Sequence, residues 1–191
     1  MSSTAKNLNQ IYSYSDYLVW PEEESWELIN GIAFSMSPAP SRFHQKILME
    51  LSRQFANYLK GKKCEVYSAP FDVRLNEKES AKDSEIMNVV QPDIVIVCDE
   101  SKLDDKGCLG APDLVVEILS PHTASKDVKE KFELYEKYQV KEYWIVHPTE
   151  KIFEIFLLSQ QKIYQKPFMY HFDDEIKVNL FDDLIICLKD L

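Results

Sequence analysis

Glycine is scarce in this chain, and its scarcity excludes two large classes of nucleotide-binding proteins. Only four glycines occur among 191 residues. The Walker phosphate loop and the dinucleotide-binding fingerprint both need clustered glycines, so this sequence contains neither motif. The G-x-S-x-G elbow is absent as well. Its absence excludes the usual serine hydrolase of the α/β-hydrolase type.

Cysteine motifs and long apolar runs are also missing. The four cysteines show no C-x-x-C spacing, which disfavours a zinc site or a disulfide framework and leads us to expect free thiols in a reducing compartment. No run of about 18 apolar residues occurs, and the segment MSSTAKNLNQ lacks the apolar core of a signal peptide. We therefore expect a soluble, cytoplasmic protein without a membrane partner.

Basic residues are fewer than acidic residues in this chain. The chain carries 22 Lys plus Arg against 32 Asp plus Glu, a formal net charge of −10. This balance disfavours a protein whose main function is to bind nucleic acid through its phosphates, but it does not exclude a local basic patch. The length and the apolar content of 45% suit one compact core. We expect a single domain over residues 1–191.

Local patterns predict the order of the secondary structure. We expect a short helix over 15–20, two strands in WELINGIAFSM joined by an Asn30-Gly31 turn, and a long helix from Ser41 that ends at Gly61. The helix and hairpin, about residues 12–37, lead into the core. β-rich runs follow, namely CEVYSAPFDVRL, VVQPDIVIVCD, PDLVVEILS, EYWIVHP, KIFEIFLL and QKIYQKP. The tail EIKVNLFDDLIICLKDL fits either a strand or a short helix. This order predicts an α+β or mixed α/β domain with helices against one central sheet.

One helical segment, ASKDVKEKFELYEKYQV, carries two charges in its apolar stripe. Asp127 and Lys131 fall among the apolar positions, whereas the other charges collect on the opposite side. Burying an unpaired ammonium or carboxylate costs at least several kcal/mol. One interpretation is a structural i,i+4 pair between Asp127 and Lys131. The other is that both residues are held for chemistry.

Two acids in apolar strands supply partners for such chemistry. If PDIVIVC and PDLVVEILS form an antiparallel pair that is symmetric about their connection, Asp93 lies opposite Glu117 on the same face, with Cβ atoms about 5 Å apart. Carboxylate oxygens at that spacing can share a divalent cation. Asp113 is a weaker candidate because it stands at a strand start. Lys131 lies within the first two turns after the strand that bears Glu117. Asp93, Glu117 and Lys131 together suit metal-dependent hydrolysis of a phosphodiester, in which the amine orients the water or stabilises the transition state.

Two other polar residues lie on apolar stripes. His44 falls near the middle of the apolar side of the long helix, where a satisfied core histidine is more common than a ligand. Tyr135, one turn after Lys131, is placed either to donate a hydrogen bond toward it or to serve as an ordinary half-buried core tyrosine.

A set of segments together resembles one known family. They are WELINGIAF, MSPAP followed by His44, QPDIVIV, GAPDLVVEILSPHTASKDVKEKFELYEKY and KEYWIVHP, and they cover nearly the whole chain. They resemble the Uma-type restriction endonucleases, a branch of the PD-(D/E)XK nuclease superfamily. The resemblance implies a restriction-endonuclease-like core and an endonuclease that hydrolyses DNA with Mg²⁺ or Mn²⁺ held by Asp93 and Glu117. It assigns the catalytic amine to Lys131, because Leu119 stands where the superfamily motif has its lysine.

The same resemblance extends the candidate site and leaves a second function open. Glu27 matches the family pattern as an additional acid and His44 matches a family position, whereas Ile32 stands where the family usually has an acid. The net charge and Leu119 motivate the alternative, a catalytically inactive nuclease-fold module that binds other proteins or associates with DNA. Nucleases of this superfamily often cut two strands with two sites, so we expect a homodimer, with edge strands such as KIFEIFLL as candidate interfaces.

Overall fold

The computed structural model describes residues 10–21, 24–36, 40–78, 81–120, 127–189 and 191, with the backbone alone at 127 and 128. Within these ranges the α-helices are α1 (Tyr14–Tyr17), α2 (Arg42–Leu59) and α3 (Phe132–Lys137), and a π-helical segment, Asp127–Lys131, runs directly into α3. Short 3₁₀ turns lie at Asp83–Glu85 and Glu100–Lys102. No described helix combines the length and the apolar character needed to cross a membrane.

Strands make up most of the remaining regular structure. In chain order they are β1 (Trp26–Ile29), β2 (Ile32–Ser35), β3 (Glu65–Ser68), β4 (Val73–Arg74), β5 (Val89–Val90), β6 (Ile94–Val97), β7 (Leu103–Asp104), β8 (Gly107–Leu109), β9 (Leu114–Ile118), β10 (Glu142–His147), β11 (Ile152–Leu157), β12 (Phe168–His171), β13 (Ile176–Lys177) and β14 (Ile185–Ile186). The central sheet has the order β12-β11-β10-β9-β6-β3, and the hairpin sheet has the order β2-β1-β5-β4-β8-β7. The predicted mixed α+β class is confirmed, with a second six-stranded sheet in addition to the one expected.

The hairpin that opens the domain forms where the sequence predicts it. β1 and β2 pair antiparallel, and their connection places Asn30 at φ 52° and Gly31 at φ 77°. A two-residue type I′ turn requires positive φ at both central positions, which Asn-Gly tolerates best. The turn fixes the register of β1, and with it the face on which Glu27 lies.

Helix α2 covers one face of the central sheet. It begins after Ser41, whose hydroxyl accepts the His44 backbone N–H at 3.2 Å, as expected for an N-cap residue. The helix buries Ile47, Leu51, Phe55 and Leu59 against alternate residues of β6 and β9. The opposite face of these strands packs against α3 and the hairpin sheet. The two central strands are therefore buried on both sides.

The register of β6 and β9 is the one that the sequence predicts. The strands are antiparallel, and the structure pairs Ile94 with Val116, Val95 with Val115 and Ile96 with Leu114. Asp93 directly precedes β6, and extending this register by one residue would set it opposite Glu117. Asp113, the weaker candidate, is 5% exposed and accepts the Cys98 N–H at 2.7 Å and the Lys141 ammonium at 2.6 Å. These contacts fit the strand-boundary role expected of it.

The expectation of four free thiols is wrong. Cys64 and Cys98 form a disulfide that joins the start of β3 to the end of β6. The β3–β6 register pairs Glu65 with Val97, so the two flanking cysteines face each other across the ladder. Cys108 is free and buried, and Cys187 is free and half-buried.

Two predictions about the C-terminal strands are also wrong. QKIYQKP holds only an isolated bridge from Tyr164 to Leu158, and the next strand is β12, shifted toward the C-terminus. KIFEIFLL is not an edge, because β11 pairs with β10 on one side and with β12 on the other. The segment EIKVNLFDDLIICLKDL, expected to form either a strand or a short helix, forms strands, since β13 pairs with β14.

Candidate active site

A buried charge cluster lies between the two sheets. The Lys131 ammonium lies 2.7 Å from Glu117 Oε1 and 2.9 Å from Glu27 Oε1. Lys131 and Glu117 are each 3% exposed, and Glu27 is fully buried. An ammonium between two carboxylates satisfies the rule that buried charges are paired. We call Glu27, Glu117 and Lys131 the buried triad.

The triad gathers residues that are distant in sequence. Glu117 lies near the end of β9 in the central sheet, and Glu27 lies on β1 in the hairpin sheet. Lys131 is the last residue of the π-helical segment and the N-cap of α3. π-Helical turns are rare and are frequently found at functional sites. Two sheets and one helix therefore converge on one small volume of the core.

Tyr135 holds the same oxygen of Glu117. Its hydroxyl donates to Glu117 Oε1 at 2.7 Å, and its side chain is fully buried. Burial and, after it, the charge of Glu117 raise the pKa of Tyr135 well above its ordinary value. The phenol therefore stays protonated and acts as a hydrogen-bond donor. Tyr135 is thus a fully buried core residue that also makes a polar contact, and its partner is Glu117 rather than Lys131.

Asp93 reaches the strand that bears Glu117. Its Oδ2 accepts the backbone N–H of Ile118 at 2.7 Å, and its own backbone oxygen accepts the Ala69 N–H at 3.1 Å. The side chain of Asp93 is 18% exposed, so it lies nearer to solvent than the buried triad does. His44 Nε2 lies 3.4 Å from Asp93 Oδ1, which places the start of α2 beside the same carboxylate.

The arrangement includes one residue that the sequence did not single out. The backbone N–H of Gln91 donates to Glu27 Oε1 at 2.9 Å, and its side-chain amide donates to Asp72 at 2.8 Å and to the Tyr17 hydroxyl at 3.1 Å. Gln91 thus links the buried triad to α1. The only signal available in the sequence is that Gln91 lies two residues before Asp93 in QPDIVIV. The side chain of Asp127 lies outside the described residues.

The donors suit a hard divalent cation by their chemistry. Glu27, Glu117 and Asp93 contribute three carboxylates, against the single ammonium of Lys131, so negative charge is in excess. Within the described ranges, however, no group of three or more His, Cys, Asp or Glu side chains has the geometry of a metal site. Mg²⁺ is commonly bound by only one or two carboxylates, with water and substrate phosphate completing its shell. Asp93 and Glu117 therefore provide the type of oxygen donor that Mg²⁺ prefers, but the described residues do not form a closed cage of protein ligands.

Comparisons with known proteins identify both the fold and the family of this chain. A crystal structure of a putative nuclease belonging to DUF820 from Anabaena variabilis superposes with a TM-score of 0.72, covering 93% of this chain and 96% of the other at 20% identity. The uncharacterized protein slr1290 of Synechocystis sp. is 30% identical over 140 residues, which is 72% of this chain and 69% of that protein. The family model for Uma2, described as "Putative restriction endonuclease", matches residues 14–188. The chain belongs to the Uma2 family.

Proposed function

We propose that this protein is a divalent-metal-dependent endonuclease that hydrolyses DNA phosphodiester bonds. The observation that supports it most is the buried triad. A carboxylate and an amine that meet in the core, beside a second and more exposed carboxylate, provide the acids and the cation that phosphodiester hydrolysis uses. Membership of the Uma2 family supports the same reaction class.

In this proposal Asp93 and Glu117 would hold the metal, Mg²⁺ or Mn²⁺. When bound, a divalent ion lowers the pKa of a water ligand and neutralises charge on the phosphate oxygens. Lys131, fixed between Glu27 and Glu117, stabilises the negative charge that develops on the phosphate or orients the attacking water. Tyr135 orients Glu117 through its hydroxyl, and His44 orients Asp93.

A cleavage assay tests the proposal. Supercoiled plasmid is incubated with the protein in Mg²⁺ or Mn²⁺, with chelator controls. We expect cleavage by the wild type, and a loss of at least about a hundredfold in Asp93→Asn and Glu117→Gln, as for removal of other groups that stabilise charge in transition states. Glu133→Gln is the matched control, because Glu133 is an exposed acid on the same helix as Tyr135. Wild-type cleavage no faster than that of Glu117→Gln would contradict the proposal.

A second function is favoured by two other observations. The net charge of −10 opposes tight binding to DNA, and Leu119 occupies the usual lysine position of the motif. Both suit a nuclease-fold module that has lost catalysis and serves as an interaction or DNA-associated domain. Titration calorimetry separates the two functions. Binding of Mn²⁺ that is lost in Asp93→Asn supports the enzyme, whereas no ion binding by either protein supports the inactive module.

A further inference from the structure

Strand β12 leaves an apolar edge of the central sheet exposed. It is the terminal strand in the order β12-β11-β10, and among the described strands it pairs with β11 alone. Phe168 is 49% exposed and Met169 is 53% exposed, and Ile163 in the preceding turn is 56% exposed. Exposed apolar edge strands favour pairing with another chain. We therefore expect this edge either to pair with another strand or to carry features that prevent such pairing.

The backbone of β12 offers one position for pairing. The backbone N–H of Phe172 donates to the backbone oxygen of Lys151. Because backbone groups alternate in direction along an antiparallel ladder, those of Tyr170 and Phe168 point toward β11 and those of Met169 point away from it. The N–H of His171 also points away, but it donates to Asp174 Oδ2 at 2.7 Å. Pro167, at the other end, has no N–H to donate. A partner strand can therefore form hydrogen bonds only around Met169.

The charges that flank β12 are opposite in sign at its two ends. Lys162 and Lys166 precede the strand, and all of the acids Asp173, Asp174 and Glu175 follow it. All five side chains are exposed. When two copies of such a segment run antiparallel, the basic end of each copy meets the acidic end of the other. The segment is therefore electrostatically complementary to itself, and this property selects a second copy of the same chain over an unrelated partner.

We propose that the protein forms a symmetric dimer in which the β12 strands of two copies pair antiparallel about Met169. Two reciprocal hydrogen bonds form between the Met169 backbones, and Phe168 of each copy lies across from Tyr170 of the second copy, an aromatic cross-strand pair. Pro167 at one end of β12 and the hydrogen bond from His171 to Asp174 at the other end prevent further backbone pairing. Each sheet therefore gains a single partner strand. Two-fold pairing also closes the assembly, so no fibre follows. This interface does not depend on the proposed nuclease activity.

Sedimentation velocity at micromolar protein tests the interface. We expect the wild type to sediment as a dimer, and Met169→Lys to raise the dissociation constant by roughly a hundredfold, because it places two ammonium groups together on the two-fold axis. Ile185→Lys is the matched control, since Ile185 is also 53% exposed but lies on β14, and it should remain a dimer. Far-ultraviolet circular dichroism checks that both variants are folded. A monomeric wild type, or a Met169→Lys variant that dimerises normally, overturns the proposal.

Charge reversal provides a second and independent test. One variant carries Lys162→Glu and Lys166→Glu, and another carries Asp173→Lys and Glu175→Lys; Asp174 is left intact because it caps His171. Each variant alone sets like charges against each other at both ends and should be mostly monomeric. An equimolar mixture restores opposite charges at both ends, so native mass spectrometry should show the heterodimer. Variants that each dimerise like the wild type, or a mixture that yields no heterodimer, overturn the antiparallel arrangement.

Discussion

Removal of the Lys131 amine is the most direct test of the buried triad. Lys131→Met keeps the length of the side chain and removes its charge. The ammonium lies within 2.9 Å of one carboxylate oxygen on each of Glu27 and Glu117, and all three residues are at most 3% exposed. The variant therefore leaves two carboxylates in the core without the cation that lies between them.

The expected loss of stability is large. Breaking a buried ion pair by removing one partner costs about 3–5 kcal/mol, because it leaves an uncompensated buried charge. For a chain of this size, each kcal/mol corresponds to about 2–4 °C in Tm, so the Tm should fall by about 6–20 °C. A structural i,i+4 pair with Asp127 at the surface would instead cost about 0.3–0.5 kcal/mol. The two interpretations therefore differ roughly tenfold in free energy.

Urea unfolding at pH 7, followed by circular dichroism, measures the difference. Lys129→Met is the matched control, since Lys129 is exposed in the same π-helical segment, and it should change the free energy of unfolding by less than about 0.5 kcal/mol. Adding Glu27→Gln and Glu117→Gln to Lys131→Met should recover much of the loss, because no charge is then left unpaired. A Lys131→Met variant within about 1 kcal/mol of the wild type would refute the buried triad, since the predicted loss starts at about 3 kcal/mol.

Three further predictions concern single contacts. Tyr135→Phe removes the hydroxyl that donates to Glu117 and should lower the free energy of unfolding by about 1.5–3 kcal/mol in urea titrations. Reduction of the Cys64–Cys98 disulfide, which closes a loop of sequence separation 34, should cost about 4 kcal/mol and lower the Tm by about 8–16 °C in differential scanning calorimetry. Burial raises the pKa of Glu142, so the stability that it contributes is fully present below its unfolded pKa and is lost as pH rises through its folded pKa. The wild type should therefore lose stability relative to Glu142→Gln as the pH rises above about 4.5, and a difference that stays constant with pH would contradict the raised pKa.

The parts of the fold that the sequence predicts correctly are those with local causes. Asn30-Gly31 defines a two-residue turn, and Ser41 and Gly61 bracket α2. The register of β6 and β9 agrees with the assumed symmetric pairing of two apolar strands, although their connection contains β7 and β8 of the hairpin sheet. Helical periodicity alone places Lys131 and Tyr135 in the core.

The features that the sequence does not reveal depend on pairings between distant segments. The Cys64–Cys98 bond requires the register of β3 against β6, and nothing near either cysteine specifies that register. The contact of Gln91 with Glu27 forms through a backbone N–H, which has no side-chain signature. The position of the last central strand at Phe168–His171 likewise depends on its pairing with β11.

The composition of the core itself bears on whether the site has a chemical role. Replacing a buried ion pair or triad by apolar residues of similar volume is often neutral or stabilising by about 1–4 kcal/mol, so stability alone does not account for such a group. In this chain the triad lies among apolar neighbours on both strands and on α3, where apolar side chains would satisfy the packing pattern. Places where a sequence departs from such a pattern are expected at functional sites. The position of Glu117, held by both Lys131 and Tyr135 and adjacent to the peptide that Asp93 contacts, therefore supports the proposal that it is a reacting group.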